Sequence, residues 1–267
     1  MVFLFLFLMN SQPIGIFDSG IGGTSIFKEV QKLLPNENII YLADSANAPY
    51  GNKTEKEILQ LSIKNTELLL KKGCKLIIVA CNTATTNAVA YLRKNYDIPF
   101  IGIEPAIKPA SLNSKSKVIG ILATKGTLSS ALFNKTSDLH TKDITVIERV
   151  GKGLVPLIES GQLDSKALKS LLVSYIQPMI DANIDYLVLG CTHYPYLIPL
   201  LKNILPQHVT IIDSGLAVAK QTKAVLEKNN LLNVSNTNVI IQFYSNGDTH
   251  ILKAITNNRF PVAYLEF

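Results

Sequence analysis

Two cysteines occupy matching positions in two similar segments of the sequence. Cys81 directly follows the apolar run 76–80, Cys191 directly follows the apolar run 186–190, and each precedes two polar residues that open a helical pattern. A thiol at the beginning of a helix loses its proton more readily, because the helix N-terminus stabilises the thiolate. A buried cysteine can also be an ordinary small apolar residue. The matched placement of these two favours thiols that take up and release protons.

Other groups that exchange protons lie close to these cysteines in the sequence. His193 is two residues after Cys191, where its imidazole could hold a proton or support the charge of the thiol near neutral pH. Asp18 ends the first apolar run, where it either caps a helix or serves as a polar partner of a catalytic group. Cys74 lies at the opposite end of its predicted strand, so we interpret it as a packing residue. The set is a poor template for zinc, which needs three or four ligands at suitable spacing.

Two loops follow the first two apolar runs. The segment Asp18–Thr24 resembles a phosphate or dinucleotide loop, but Ser25 occupies the position of the third glycine and the lysine of a P-loop is missing. Its amides could instead bind a carboxylate, because a helix N-terminus suits any anion. The segment 44–51 has the proline, glycine and asparagine content of an ordinary turn.

These residues must be positioned by an alternation of short β-branched runs and longer amphipathic stretches. The predicted strands are Ile14–Phe17, Ile39–Ala43, Leu76–Ala80, Phe100–Ile103, Val118–Ala123, Ile144–Glu148, Tyr186–Gly190, Val209–Ile212 and Val239–Phe243. The clearest predicted helices are Glu55–Lys72, Ala84–Asn95, Asp164–Asp181 and Ala217–Asn229. Near-continuous apolar strands separated by helices are typical of parallel sheets covered on both faces. The sequence therefore predicts an α/β protein.

A weak internal repeat predicts how this α/β protein is divided. Besides the two cysteine segments, Ile14–Gly20 resembles Val118–Thr124. Repeated patterns at about the spacing of a domain predict two similar lobes, each with a cysteine at the carboxyl end of a strand. Ligands of open α/β sheets bind at those ends.

Composition excludes several classes of protein. The chain has 267 residues, of which 47% are hydrophobic and 17% charged, so it is not intrinsically disordered. Three cysteines are too few and odd in number for a disulfide scaffold, and they suit a reducing compartment. No stretch approaches the roughly 20 apolar residues of a membrane span. The apolar segment Met1–Met9 lacks the cationic start of a secretory signal. It is either a loosely packed extension, an upstream start before Met9, or a tail that touches a membrane.

The net charge of +6 does not come from a basic stripe. Several lysines are spread over helical patterns without interleaved aromatic residues, and we expect them to be solvated surface residues that bind no nucleic acid. These are Lys64, Lys71, Lys72, Lys75, Lys108, Lys115 and Lys117.

Five motifs together resemble the glutamate racemases of the aspartate/glutamate racemase superfamily, and the match runs from about Pro13 to the end of the chain. The motifs are 17–23 (FDSGIGG), 48–51 (APYG), 81–84 (CNTA), 102–105 (GIEP) and 190–195 (GCTHYP). The resemblance implies two similar lobes, each a mainly parallel sheet flanked by helices, with the active site in the cleft between them. The first lobe would comprise residues 1–99 plus 209–267, and the second residues 100–208.

The resemblance also implies a cofactor-independent transfer of the α-proton between L- and D-glutamate, which supplies D-glutamate for peptidoglycan. Cys81 and Cys191 would be the two bases on opposite faces of the substrate. Asp18 would assist Cys81, His193 would assist Cys191, and Glu159 matches the assisting glutamate of the family. One departure is that residues 151–153 (GKG) stand where a cysteine-proline pair is common.

The substrate contacts that the resemblance implies come from both lobes. They are Asp18, Ser19, Pro49, Tyr50, Gly51, Asn82, Thr83, Thr192 and His193, with Thr124 and Thr127 as further candidates. The expected partner is a small-molecule substrate, with no nucleic acid, membrane, metal or cofactor, in a cytoplasmic protein that could be a homodimer. The alternatives are an aspartate or other amino-acid racemase, a non-catalytic amino-acid-binding protein, and a dinucleotide-dependent oxidoreductase, which the missing third glycine disfavours.

Overall fold

A computed structural model describes residues 10–234 and 239–267, so the apolar segment Met1–Met9 lies outside the described residues. Within the described ranges, the strands form two sheets in which every pair of neighbours is parallel. The strands are β1 (Ile14–Asp18), β2 (Ile39–Ala43), β3 (Leu76–Val79), β4 (Phe100–Gly102), β5 (Val118–Ala123), β6 (Thr145–Val150), β7 (Tyr186–Gly190), β8 (Thr210–Ile212), β9 (Ile241–Ser245) and β10 (Val262–Tyr264).

Helices connect these strands. The helices are α1 (Thr24–Leu33), α2 (Glu55–Lys71), α3 (Asn82–Asn95), α4 (Ile107–Asn113), α5 (Lys125–Leu128), α6 (Ala131–His140), α7 (Leu154–Glu159), α8 (Lys166–Asp181), α9 (Ile198–Ile204), α10 (Gly215–Lys228) and α11 (His250–Ile255). Short 3₁₀ turns cover Ser45–Asn47, Tyr50–Asn52 and Tyr194–Leu197. The α/β architecture predicted from the sequence is confirmed.

The internal repeat predicted from the sequence is visible in the strand order. The six-stranded sheet has the order β10-β9-β2-β1-β3-β4, and the four-stranded sheet has the order β6-β5-β7-β8. The run β2-β1-β3-β4 of the first sheet therefore has the same arrangement as the whole second sheet. Cys81 follows β3 and Cys191 follows β7, which are corresponding strands.

The crossing points between the two sheets differ slightly from the predicted lobe boundaries after residues 99 and 208. The strand β4 pairs with β3 in the first sheet, and β8 pairs with β7 in the second. Each crossing thus comes one strand later in the chain than expected.

Burial of the apolar faces of the strands and helices stabilises the fold. The whole of β1 is buried, as expected for a central parallel strand with helices on both faces. Each fully buried leucine or isoleucine stabilises the fold by about 1.5–3 kcal/mol relative to an exposed one. Cys74 belongs to this core, where it packs in a cluster with Leu69 and Phe100, so its interpretation as a packing residue is confirmed.

The expectation that Lys75 is a solvated surface residue is wrong. Its side chain is 1% exposed, and Nζ lies 2.6 Å from a carboxylate oxygen of Glu37, which is equally buried. Its sequence neighbours Lys71 and Lys72 are exposed and half-buried, so the local sequence does not distinguish it from a surface lysine. It lies instead at the amino end of β3, where several loops of the first lobe meet and enclose it.

In the parts of the chain that the structure describes, no helix has both the length and the apolar character needed to cross a lipid bilayer.

Candidate active site

A small cavity lies where the carboxyl ends of central strands from both sheets meet. Its volume is about 10 Å³, roughly the space that one water molecule needs. Ser19 follows β1, Cys81 follows β3, Thr124 follows β5 and Cys191 follows β7, and all four residues line the cavity. Each sheet thus contributes one thiol to a shared enclosure, as predicted from the repeat.

Cys81 occupies the N-cap position of α3. Its Sγ accepts a hydrogen bond from the backbone N–H of Ala84 at 3.4 Å and lies 3.7 Å from Oγ of Ser19. Burial raises the pKa of the Cys81 thiol well above its usual range, and the nearby carboxyl of Asp18 raises it further. The amide and the hydroxyl lower it by less. The helix start alone therefore does not make Cys81 a thiolate.

Cys191 has a different kind of partner, because β7 leads into a 3₁₀ turn and not directly into an α-helix. Its Sγ lies 3.7 Å from Nδ1 of His193, and Nε2 of the same imidazole lies 2.5 Å from Oε1 of Glu159. Burial lowers the pKa of His193, but its bonds to Cys191 and Glu159 outweigh burial and raise it well above the usual value. The imidazole can therefore carry a positive charge beside Cys191.

Asp18 is completely buried at the end of β1. Its carboxylate accepts hydrogen bonds from the backbone N–H of Gly20 at 3.0 Å and from Oγ1 of Thr192 at 3.1 Å. Burial raises its pKa to about 6, while His193 lowers it and Glu159 raises it by smaller amounts. Asp18 can thus gain or lose a proton near neutral pH, beside the thiol that it was predicted to assist.

The glycine-rich loop after β1 does bind a carboxylate, but the carboxylate belongs to the protein. The backbone N–H of Ile21 donates to Oε1 of Glu159 at 2.7 Å. A methyl group on Gly20 would lie 2.0 Å from that oxygen, and one on Gly22 would lie 2.3 Å from Nδ1 of His193. The glycines therefore permit close approach of the two side chains that support Cys191.

Hydroxyl groups from the two lobes also meet at the wall of the cavity. Oγ1 of Thr83 lies 2.8 Å from Oγ1 of Thr124 and 3.4 Å from that of Thr127. Thr127 itself is fully buried and supports the other two hydroxyls. Beside them, Asn82 is 3% exposed, and neither atom of its side-chain amide has a hydrogen-bond partner in the described part of the chain. A buried amide without partners is costly, and it suits a polar ligand.

Tyr50 is held by a buried network that the sequence did not reveal. The carboxylate of Asp44 accepts hydrogen bonds from Tyr50 OH, from Nδ2 of Asn47 at 2.7 Å and from Nδ2 of Asn246 at 2.5 Å. Asn65 donates to the tyrosine oxygen at 3.1 Å. Asp44 sits at the carboxyl end of β2, and that position is the one signal in the sequence that could have separated it from an ordinary turn residue.

Most of the predicted site residues line the cavity. These are Ser19, Pro49, Tyr50, Gly51, Cys81, Asn82, Thr83, Thr124, Cys191, Thr192 and His193. Asp18, Thr127 and Glu159 lie behind that layer and contact it through Thr192, Thr83 and His193. Val155 also lines the cavity and was not predicted, since nothing in its sequence surroundings distinguishes it from a core residue.

The arrangement suits proton transfer more than other chemistry. Two thiols that follow strands of different sheets line one cavity, and each has a separate carboxyl or imidazole group close by. Among the described residues, no group of three or more histidine, cysteine, aspartate or glutamate side chains is placed to hold a metal ion.

Comparison with known proteins gives one consistent result. A family model described as Asp/Glu/Hydantoin racemase matches residues 19–222. A glutamate racemase from Herpetosiphon aurantiacus is 43% identical over 240 residues, which cover 90% of this chain and 94% of that protein. A glutamate racemase isoform, RacE1 from Bacillus anthracis, has a solved structure with a TM-score of 0.86 and 30% identity, covering 96% of this chain and 98% of that one. A Francisella tularensis glutamate racemase in complex with D-glutamate has a TM-score of 0.82 and 30% identity over the same shares.

Proposed function

The chain belongs to the Asp/Glu/Hydantoin racemase family and, within it, to the glutamate racemases, and we propose that Cys81 and Cys191 are the two bases that move the α-proton of glutamate. The observation that carries this proposal is that both thiols line one cavity, one from each of two similar lobes. The D-glutamate formed would supply peptidoglycan synthesis.

Inversion at Cα requires a base on one face and an acid on the other. One cysteine, as thiolate, takes the α-proton and becomes a thiol. The other cysteine, as thiol, gives its proton to the opposite face of the carbanion and becomes a thiolate. The opposite direction uses the same two residues with their roles exchanged, so no external acid or base is consumed.

The surroundings of the two thiols favour one starting arrangement. Burial and, to a smaller extent, the carboxyl of Asp18 raise the pKa of the Cys81 thiol and keep its proton on, whereas a protonated His193 can neutralise a thiolate at Cys191. We infer that Cys191 acts first as the base and Cys81 as the acid. The enantiomer whose α-proton faces Cys191 would therefore react directly on binding.

The carbanionic transition state must be stabilised by fixed donors, since a Cα–H is much less acidic than a thiol. The unpartnered amide of Asn82 and the hydroxyls of Thr83 and Thr192 lie on the cavity wall and can bind the carboxylate and ammonium groups of an amino acid. A substrate that fills the cavity would exclude water, which would strengthen these interactions.

Two further expectations belong to this proposal. The three cysteines are free thiols, which suits a cytoplasmic location. A homodimer remains an expected assembly, and sedimentation of the purified protein distinguishes it from a monomer.

The direct test is whether purified protein inverts L-glutamate without pyridoxal phosphate and in the presence of a metal chelator. Circular dichroism measures the inversion over time. Cys81→Ser and Cys191→Ser should each lower the rate by about 10²–10⁴-fold or more, because each removes one of the two acid–base groups. Cys74→Ala is the matched control: it removes a thiol from the core and should leave the rate per folded molecule unchanged.

Full racemase activity in either serine variant would contradict the two-base mechanism, and a requirement for added cofactor would contradict the proton-transfer chemistry. A parallel assay with L-aspartate separates the main alternative. Turnover of L-aspartate faster than L-glutamate would reassign the substrate within the same family without changing the roles of the cysteines.

A further inference from the structure

A second opening approaches the active site from the side away from the substrate cavity. It is an open groove of about 450 Å³, and its lining includes Ser45, Glu159, Ser160 and Asp248. Among the described residues, the groove and the substrate cavity have no lining residue in common. Glu159 is therefore accessible from a surface that the bound substrate would not block.

A continuous chain of titratable groups joins this groove to one of the thiols. Glu159 reaches Nε2 of His193 at 2.5 Å, and Nδ1 of the same ring lies 3.7 Å from Sγ of Cys191. The side chain of His193 is 2% exposed and that of Glu159 is 15% exposed, so Glu159 is the group of this pair that solvent in the groove can reach. The backbone N–H of Ile21 fixes one carboxylate oxygen, and Oγ of Ser45 lies 3.4 Å from the other.

Cys81 has no comparable connection. Its polar contacts are the hydroxyl of Ser19 and the amide of Ala84, and neither group titrates in the accessible pH range. Asp18, the nearest carboxyl group, is completely buried and is itself held by Gly20 and Thr192. In the described part of the chain, a proton on Cys81 thus meets solvent through the substrate cavity.

We propose that the groove at Glu159 is a proton port, through which Cys191 exchanges its proton with solvent while the substrate cavity is closed. The inference rests on the proposed racemase function and adds an asymmetry to it. At the start of the step the proton of the Nε2–Oε1 hydrogen bond is on the Glu159 carboxyl, so that the His193 ring is neutral and carries only Nδ1–H. To protonate a Cys191 thiolate, this Nδ1–H passes to Sγ, Nε2 takes the proton of the Glu159 carboxyl, and water in the groove returns a proton to the carboxylate, leaving hydroxide. Deprotonation follows the reverse order, and no other reactant is needed.

Such a port has a use in repeated turnover. Each reaction in one direction leaves the proton on the wrong cysteine for the next substrate of the same hand. Before the next turnover, the two cysteines must regain their original protonation states. A path to solvent that is independent of the substrate cavity lets Cys191 regain its state before the product has left.

The experiment uses the full-length single-cysteine variants in D₂O, with α-deuterium uptake measured by proton NMR for each enantiomer of glutamate. Cys81→Ser, which keeps Cys191 and the port, should exchange the α-proton of one enantiomer. Cys191→Ser, which keeps Cys81 alone, should exchange the other enantiomer at least about tenfold more slowly. Elimination of chloride from a β-chloro analogue by Cys191→Ser would demonstrate that Cys81 still acts as a base.

The role of Glu159 is tested in the Cys81→Ser background. Adding Glu159→Gln, which keeps an oxygen for Ile21 but cannot carry the proton, should lower exchange by about tenfold or more. Formate added to a Glu159→Ala version should restore exchange in proportion to its concentration, because it can enter the open groove. Ser160→Ala, on the exposed rim of the same groove, is the matched control and should exchange at the unaltered rate.

Equal exchange by the two single-cysteine variants would overturn the port, as would a Glu159→Gln variant that exchanges normally. A Glu159→Ala variant that formate does not rescue would point to a structural role and would also overturn it. These outcomes are distinct from failure of the proposed function, because wild-type protein that inverts glutamate and exchanges symmetrically would refute the port alone.

Discussion

At the scale of one residue, the buried carboxyl group of Asp18 contributes to the site but lowers the stability of the folded protein. Its pKa rises from the ordinary value of 3.8 to about 6 because the carboxyl is completely buried. Between these two pH values the folded protein keeps a proton that the unfolded chain has lost. Since stability rises with pH only where the unfolded state binds more protons, Asp18 makes stability fall as pH rises from about 4 to 6.

We therefore predict that Asp18→Asn stabilises the protein at pH 8. A shift of about two pKa units corresponds to about 3 kcal/mol of unfolding free energy, which the neutral amide would not lose. Urea unfolding at pH 5 and pH 8 should show a smaller decrease between the two pH values in the variant than in the wild type. Racemase activity should fall at both. A variant that is less stable than wild type at pH 8, with the same pH dependence, would contradict the assignment of the raised pKa.

Residue types and spacing predicted the side chains that stand next to a strand end, and missed those whose role depends on distant parts of the chain. Cys81 and Cys191 could be found because each directly follows an apolar run. Glu159 required the family resemblance, since its partners Ile21 and His193 are far from it in sequence. Lys75 was misjudged because sequence neighbours do not reveal which loops will enclose a side chain.

At the scale of elements, the strands were predicted well where they are buried on both faces. The predicted limits of β2, β5 and β7 agree with the structure. The strand β10 was missed because it is a short edge strand with mostly exposed residues, so it has no apolar pattern to detect. Cys191 was expected at the start of a helix, and Pro195 within the following turn is consistent with the 3₁₀ geometry that the structure has instead.

The loop between β2 and α2 depends on Asp44, and this leads to a prediction at the same scale. Asp44→Asn would place an amide N–H among donors from Tyr50, Asn65 and Asn246, so at least one buried group loses its partner. Each such loss costs about 1–3 kcal/mol. Because Tyr50 lines the cavity, we expect KM for glutamate to rise by about tenfold or more, and kcat to change less.

Steady-state kinetics with both enantiomers would measure this split between KM and kcat. The matched control is Asn47→Ala, which removes one of the donors and leaves the carboxylate bonded to the others. If Asp44→Asn left KM unaltered, or if Asn47→Ala had the larger effect, the loop would not depend on Asp44 as inferred.

At the scale of the whole molecule, the two ends of the strands in the first sheet have different functions. The carboxyl ends of its strands carry Cys81 and Asp18, as is general for functional residues of open α/β sheets. The amino ends of β2 and β3 carry the buried ion pair of Glu37 and Lys75. Nζ of Lys75 also donates to the backbone oxygens of Asn10 at 2.5 Å and Leu231 at 2.8 Å. This lysine thereby ties the beginning of the described chain to the segment that follows α10.

The ion pair lies at the amino ends of the strands, whereas the active site lies at their carboxyl ends. Loss of the pair should therefore affect stability without affecting catalysis. Lys75→Met would leave Glu37 as a buried charge without its partner, which costs about 3–5 kcal/mol. For a protein of this size that corresponds to a decrease in Tm of roughly 6–20 °C. Lys64→Met, at an exposed position of α2, is the control and should leave Tm within a few degrees. The double variant with Glu37→Gln should recover part of the loss, since no uncompensated charge remains, and kcat/KM of all folded variants should equal that of the wild type. A decrease in kcat/KM at temperatures where Lys75→Met is fully folded would contradict this separation, because it would mean that the ion pair influences the active site through the strands.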